Sequence, residues 1–409
     1  MNIIVVGAGM VGSSLGLSLA RRGARVTLID QDKPGCGCSY GNAGIIATDS
    51  IFPIASPLTL ALMPLMLLQK SSPLRLDPKA IPKLSPWLLR FVAASTPGQF
   101  KRGTLALSKL TGGALEAWNQ LLTNNPGARF QQSGGWLELY GSKASLQAHR
   151  KMHRLQRAHG ILVSDLDRQA IREMADSVDP GFCHGVHFNR PNWFSSPYEV
   201  VKAMVDEVSE LGGEIVNRRV LSITGEDHSA LVHTDDGSYS ADRVIIAAGA
   251  DSATFTKELG DPVPLIAERG YHIMLPGSGI DLSLPVMFAD YKVVATPMSE
   301  GLRLAGTSEL TTDDSPPTAG RIESLVNLAP KLLPGINLEG YEEWMGRRPT
   351  LPDSLPVIGQ ARHHRAVWYA FGHQHLGVTL AAITARLVTQ SIFGEKPVID
   401  LTPYRPQRF

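Results

Sequence analysis

Residues 5–16 read VVGAGMVGSSLG, and no other stretch restricts the fold as much. The run follows apolar residues 3–6 and sets glycines at 7, 9 and 12, a GxGxxG spacing. Leu15, Leu19 and the small residues between them recur at helical spacing, and Gly23 ends the pattern. RVTLID at 25–30 then reads as a second strand. Strand, helix and strand within about thirty residues make a β-α-β unit. The three glycines serve different physical ends. Gly7 allows the tight turn, Gly9 lets backbone approach a pyrophosphate, and Gly12 lets helix and strand pack closely. The N–H groups at the helix start, Met10 and Val11 among them, and the positive end of its dipole then favour phosphate. Asp30 closes the second strand, where a carboxylate accepts ribose hydroxyls. The same charge repels a 2′-phosphate and disfavours NADP.

The other end of the chain decides between NAD and FAD. Ser39-Tyr40-Gly41-Asn42-Ala43-Gly44 supplies small residues where a longer cofactor would extend. Gly372, Gly377 and Thr379 stand at the mouth of a predicted helix over about 378–393. A second helix N-terminus suits the electron-rich pyrimidine end of a reduced flavin. Two such entries at opposite ends of one chain suit FAD lying extended through the domain.

Between them the pattern predicts mostly helix over 71–130, with joints at Pro73, Pro78, Pro82 and Pro86. It predicts a strand at 135–140 and helices at 143–159 and 198–211, then a strand at 214–217. Residues 220–234 and 238–248 read as two strands joined by Asp235-Asp236-Gly237, a hairpin signature. Strands near 271–275, 293–297, 302–309 and 367–370 follow, the first three antiparallel.

The 409 residues are enough for two cores. A hydrophobic fraction of 43% with 19% charged residues reads as a soluble globular protein. The balance of 39 basic to 38 acidic residues gives no nucleic-acid surface. Cys36, Cys38 and Cys183 form no disulfide framework, and Cys36-Gly37-Cys38 matches neither a redox nor a zinc pair. Free thiols fit a reducing compartment. With no basic region and cleavage site at the start, a cytoplasmic protein is expected. Residues 51–68, IFPIASPLTLALMPLMLL, approach the length of a membrane span. Pro53, Pro57 and Pro64 are expected to break a helix there. The segment is then either a lid or core piece, or an apolar surface dipping into a membrane.

VVGAGMVGSSLG, the LID ending in Asp30, SYGNAG, IIAAGA, GRRPTLPDSLPVIG and FGHQHLGVTL span nearly the whole chain. On these the sequence resembles the FAD-dependent amine and amino-acid oxidoreductases that include D-amino-acid dehydrogenase, glycine oxidase and sarcosine oxidase. It is most similar to bacterial D-amino-acid dehydrogenases, through the insert ASPLTLALMPLMLL and the strand Arg269-Gly270-Tyr271. The tail GHQHLGVTLAAITARL resembles members acting on hydroxy-D-proline.

The resemblance implies an α/β fold. A Rossmann-like FAD-binding domain would comprise 1–50, 196–255 and 341–409. A substrate domain, 51–195 and 256–340, would hold a large, mainly antiparallel sheet flanked by helices. It adds Val220, Ala248, Gly249 and His373 to the cofactor contacts. It makes Arg348, just before Pro349, the clamp on a substrate carboxylate, a role suited to a planar guanidinium. Arg347 reads as a surface or salt-bridge residue. Tyr271 and Tyr291 are candidates for hydrogen bonds to the carboxylate or amine, with packing in a sheet an equal reading for Tyr291. Their neighbours His272 and Lys292 point to the opposite faces of a strand, so one member of each pair faces the site. His373 and His375 have no third ligand at metal spacing, so a cofactor-facing loop is expected and no metal. No cysteine lies in 346–350, where sarcosine oxidases attach flavin covalently, so the resemblance implies non-covalent FAD.

The implied reaction moves a hydride from an α-carbon to flavin N5, with a D-amino acid such as D-proline or hydroxy-D-proline as substrate. A quinone or electron-transfer protein would accept the electrons, with residues 51–68 as a peripheral membrane contact. The alternatives are an oxygen-using oxidase of glycine, sarcosine or another N-alkyl amino acid, and a non-catalytic FAD-binding subunit of a larger complex.

Overall fold

The computed structural model describes residues 1–68, 74–312 and 315–409, and side chains outside 64–68. Two large sheets organise it. The first has six strands in the order Glu214–Asn217, Arg25–Asp30, Asn2–Val6, Arg243–Ile246, Val367–Phe371 and Val357–Gln360. All pairs are parallel except the last. Ile3, Val5, Val26 and Leu28 are buried on it beneath Leu15 and Leu19 of helix Met10–Ala20 and Leu380 and Ala381 of helix Gly377–Ile392. The two helices lie side by side, so their N-termini open toward the same edge of the sheet. Gly12 lets helix Met10–Ala20 start close against the turn that leaves strand Asn2–Val6, because a Cβ there would lie 1.8 Å from the Gly7 carbonyl oxygen.

The second sheet has nine strands. Eight run in the order Glu342–Thr350, Ile266–Leu275, Gly301–Leu310, Val293–Met298, Val286–Phe288, Trp136–Tyr140, His184–Phe188 and Val163–Leu166; Leu74–Leu76 pairs with Gly301–Leu310. It is antiparallel apart from two pairings. One face buries Tyr271, Ile273, Leu304, Ala295 and Val286 against Ile322 and Leu325 of helix Ala319–Leu332. The other face turns toward the glycine-rich loops. Strand Glu342–Thr350 is the edge of this sheet, and helix Pro97–Leu121 packs on Gly377–Ile392, with the Trp118 indole donating to the Val378 carbonyl at 2.9 Å. The six-stranded sheet draws only on segments expected in the FAD-binding part, whereas the nine-stranded sheet takes its edge strand Glu342–Thr350 from that part and its other strands from the expected substrate part.

Two local expectations change. Residues 220–248 make three antiparallel strands, Val220–Gly225, Ala230–Thr234 and Gly237–Ala241, because a polar turn at 226–229 divides the first segment. The apolar run Arg243–Ile246 then leaves them for the parallel sheet. The hairpin at 235–237 forms where the sequence put it. Second, the prolines do not prevent helix Pro57–Leu68. Pro57 is its first residue, where the missing N–H costs nothing, and the helix continues through Pro64. Among the described residues no helix is long and apolar enough to cross a membrane.

Candidate functional site

Strand Asn2–Val6 ends in Gly7 at φ 104°. A Cβ there would stand 2.5 Å from the Ala247 carbonyl oxygen, so the turn admits only glycine. Gly9 precedes helix Met10–Ala20 without a capping side chain, and the first turn carries no acid. The Met10 N–H donates to Ser39 Oγ at 2.9 Å. Asp30 accepts from the N–H groups of Ala8 (2.7 Å) and Asp32 (2.9 Å), which ties its carboxylate to the glycine turn. Burial nonetheless raises its pKa.

A cavity of about 630 Å³ opens from this turn. Gly7, Gly9, Met10, Val11 and Asp30 border one end. Asn42, Val220, Ala248, Gly249, Gly372, His373 and Gly377 line it as well. Helix Gly377–Ile392 starts there, again with no capping side chain and no acid in its first turn. Two positive helix ends thus converge on one cavity, an arrangement that favours an anionic, electron-rich ligand. Gln374 holds this entry at φ 52°, its amide donating to the Leu351 carbonyl at 2.9 Å.

Gly12, Gly41, Ala43, Gly44 and Thr379 do not border the cavity. They shape it from behind. Thr379 Oγ1 accepts from Ala47 N–H (3.0 Å) and donates to the Ile45 carbonyl (3.2 Å). Gly41 leaves room for the Trp344 ring, and Gly44 for the Phe194 carbonyl. Ala43 lies between them in the same turn. The second sheet pins this loop: Arg303 Nη1 donates to the carbonyls of Tyr40 (2.8 Å) and Asn42 (2.6 Å), and His272 Nδ1 donates to that of Gly41 at 3.2 Å. Arg303 is 3% exposed, and burial lowers it to about 10, so it stays charged at neutral pH. Burial takes His272 down to about 3 and keeps it neutral, stacked on Trp344 at 4.9 Å.

Arg348 lies on the same face of the second sheet. Its Nη1 donates to Glu268 Oε1 (3.0 Å), the Thr307 carbonyl (3.2 Å) and Ser308 Oγ (3.3 Å). Arg347 borders the cavity and pairs with exposed Asp251 at 3.0 Å. The two tyrosines do not join Arg348. Strand pairing sets Glu268, Gly270 and His272 opposite Arg348, Gly346 and Trp344, which turns Tyr271 to the other face. There it is 2% exposed, donating to Glu309 at 2.5 Å and accepting from Thr318 N–H at 3.2 Å. Tyr291 sits in a turn, 42% exposed and packed edge-on to Phe182. The side chain of His373 is 4% exposed and bonded to Thr384 Oγ1 at 3.0 Å, and burial holds it neutral at about 3. His375 instead is exposed and shares surroundings with Glu268 and Arg348, whose charges act on it in opposite senses. Among the described residues no three His, Cys, Asp or Glu side chains converge as a metal site requires.

The sequence matches the family described as DAO, FAD dependent oxidoreductase, over residues 2–391. The chain belongs to the DAO family of FAD-dependent oxidoreductases. It is 32% identical to a D-amino-acid oxidase of Bradyrhizobium diazoefficiens, over 100% of this chain and 99% of that one. It is 31% identical to D-amino acid dehydrogenase 2 of Ralstonia nicotianae, over 99% of each. The crystal structure of glycine oxidase from Geobacillus kaustophilus superposes with a TM-score of 0.75 at 21% identity, over 100% of this chain and 98% of that one, a likeness of fold.

The residues present in this DAO-family enzyme fit FAD. The turn at Gly7 is a cradle that a Cβ would close, and both helix ends at the cavity lack a capping side chain. Among the described residues Gln374 Oε1 is a buried acceptor without a partner at the cavity wall, beside the second helix end. Sequence reasoning missed Arg303, Gln374 and Glu268, and left His272 as one of two alternatives. Alternation along the strand signalled only that His272 or Tyr271 faces the site. Nothing local marks Arg303, whose partners lie more than 260 residues away.

Proposed function

We propose that this enzyme oxidises the α-carbon of a D-amino acid, with Arg348 as the carboxylate anchor. One observation carries the reading. Nη1 of Arg348 is occupied by protein acceptors, while Nε and Nη2 have no hydrogen-bond partner among the described residues. That leaves one edge with two parallel donors, the fork a carboxylate accepts. When bound, FAD supplies the two-electron acceptor for the α-carbon hydride. The chain holds the cofactor with Gly7, Gly9, Met10 and Val11 at the pyrophosphate, Asp30 at a ribose, and the Gly372–Gly377 entry at the far end. Arg348 orients the substrate, and the neutral His272–Trp344 stack holds the loop between them. The names of both relatives support a D-amino acid, and the tail GHQHLGVTLAAITARL supports hydroxy-D-proline, with D-proline as its cyclic analogue.

Anaerobic flavin bleaching with D-, L- and N-alkyl amino acids tests this. The purified protein is expected to be yellow, to release intact FAD with acid, and to bleach fastest with D-proline or hydroxy-D-proline. Faster bleaching by glycine or sarcosine would overturn the substrate assignment.

The electron acceptor we propose is a membrane quinone. Ile54, Leu58, Leu62, Ile81, Leu89, Val92 and Leu105 are exposed large apolar side chains within one stretch of chain. Residues 74–109 also carry Arg75, Lys79, Lys83, Arg90, Lys101, Arg102 and Lys109 against Asp77 alone. Apolar surface with excess positive charge suits shallow contact with an anionic bilayer. Leu58→Ser with Leu62→Ser is expected to weaken binding to anionic liposomes and slow quinone reduction, with dye-coupled turnover unchanged. Altered substrate affinity without a liposome effect would make the segment a lid. Hydrogen peroxide formed as fast as dye is reduced would favour the oxidase reading.

A further inference from the structure

We infer that Glu268 positions Arg348 and cancels its charge, so that the site selects a zwitterion carrying no further charge. The inference rests on Arg348 as the carboxylate anchor. Glu268 and Arg348 are direct partners across the paired strands Ile266–Leu275 and Glu342–Thr350. Glu268 is 8% exposed. Its Oε1 accepts from Arg348 Nη1 at 3.0 Å and from Ser308 Oγ at 2.6 Å, and its Oε2 from Thr350 Oγ1 at 3.0 Å. Burial pushes its carboxyl up, but the Arg348 charge and the two hydroxyls outweigh that and hold it below the ordinary glutamate value.

The geometry divides the guanidinium into two edges. Nη1 is taken by Glu268, Ser308 and the Thr307 carbonyl, which the φ of 64° at Thr307 accompanies. The plane of the group rests over Gly270, where a Cβ would come within 2.2 Å of Nη2 and 2.3 Å of Cζ. A side chain at 270 would therefore displace the anchor. Glu268 does not compete for the Nε–Nη2 edge. It fixes the rotation of that edge.

At the anchor pair the charges sum to zero; the charged Arg303 on the same face is held at the carbonyls of Tyr40 and Asn42. Arg348 and Glu268 cancel. The Cys38 thiol stays protonated because burial raises it. Arg347 is paired with Asp251. A bare carboxylate meeting this neutral pair would leave one uncompensated negative charge, whereas an amino-acid zwitterion leaves none. In a low-dielectric site that difference favours the zwitterion. A second carboxylate on the substrate side chain would restore the penalty.

The test uses the holoenzyme and Glu268→Gln, which keeps the volume and removes the charge. Two ratios are read near neutral pH: KM for D-glutamine against D-glutamate, and KM for a neutral D-amino acid against the Kd of propionate, followed by the flavin absorbance. The native enzyme is expected to prefer D-glutamine by about tenfold or more. Glu268→Gln is expected to raise KM for the neutral amino acid about tenfold and to shift both ratios toward the more anionic ligand by about fivefold or more. FAD content should stay at the native level. Glu268→Asp should recover the ratios with only part of the KM, since its charge remains on a shorter arm. A merely structural role would weaken all ligands together and leave both ratios unchanged, which overturns the inference. If Glu268→Gln does not fold, the native comparison decides: D-glutamate bound as well as D-glutamine overturns it. Normal turnover by Arg348→Ala would instead overturn the anchor itself.

Discussion

Arg348→Ala is expected to purify with its full complement of FAD and to lose almost all reduction by amino acid. Truncating one partner of a buried, hydrogen-bonded charge pair costs about 2–5 kcal/mol. In kcat/KM that is a loss of roughly thirtyfold to a few thousandfold. The alanine also strands Glu268, whose carboxylate then keeps only Ser308 and Thr350 as donors. A fall in Tm should accompany the fall in activity. Arg348→Lys separates the two effects. An ammonium can meet Glu268 and recover the Tm, but it lacks two parallel donors and should restore little turnover. Recovery of both by lysine would show that charge alone, without the fork, suffices. Native turnover in the alanine variant would place the site elsewhere.

What could be read from the chain beforehand follows from how local each signal is. The β-α-β unit at 2–30, the hairpin at 235–237 and helix Gly377–Ile392 were legible because turn residues and apolar spacing lie within a few positions of one another. Prolines misled at 57–68, since counting them ignores that a helix accepts proline as its first residue. Around Arg348 the limit was different. Alternation established that Tyr271 and His272 part to opposite faces. Which face meets the cofactor depends on where helix Ala319–Leu332 packs, and that helix covers Tyr271. Glu268 lies 80 residues from Arg348 in sequence and touches it only because two strands pair in one register. A slip of one residue would put the pair on opposite faces. Charge balance at the anchor is therefore a property of the register, and single positions give no sign of it.

Gly7→Ala should yield protein that purifies nearly colourless. At φ 104° an L side chain is strained by about 1–3 kcal/mol. The added Cβ would also stand 2.5 Å from the Ala247 carbonyl oxygen, 2.8 Å from its carbon and 3.0 Å from Ala248 Cα. All three are backbone atoms at the end of strand Arg243–Ile246, so no side-chain rotation relieves the contact, and overpacking of this kind adds about 1–3 kcal/mol. The turn must move away, and it carries Ala8 N–H off Asp30 and Met10 N–H off Ser39 as it goes. FAD affinity should fall by about a hundredfold or more, since binding must restore that geometry. Gly23→Ala is the control. It has φ 79° at the far end of the same helix, with nothing within 4 Å of a Cβ. It bears the conformational strain alone and should lose about 1 kcal/mol of stability with FAD retained. A yellow Gly7→Ala protein with stoichiometric FAD would mean that this turn does not carry the cofactor's phosphates.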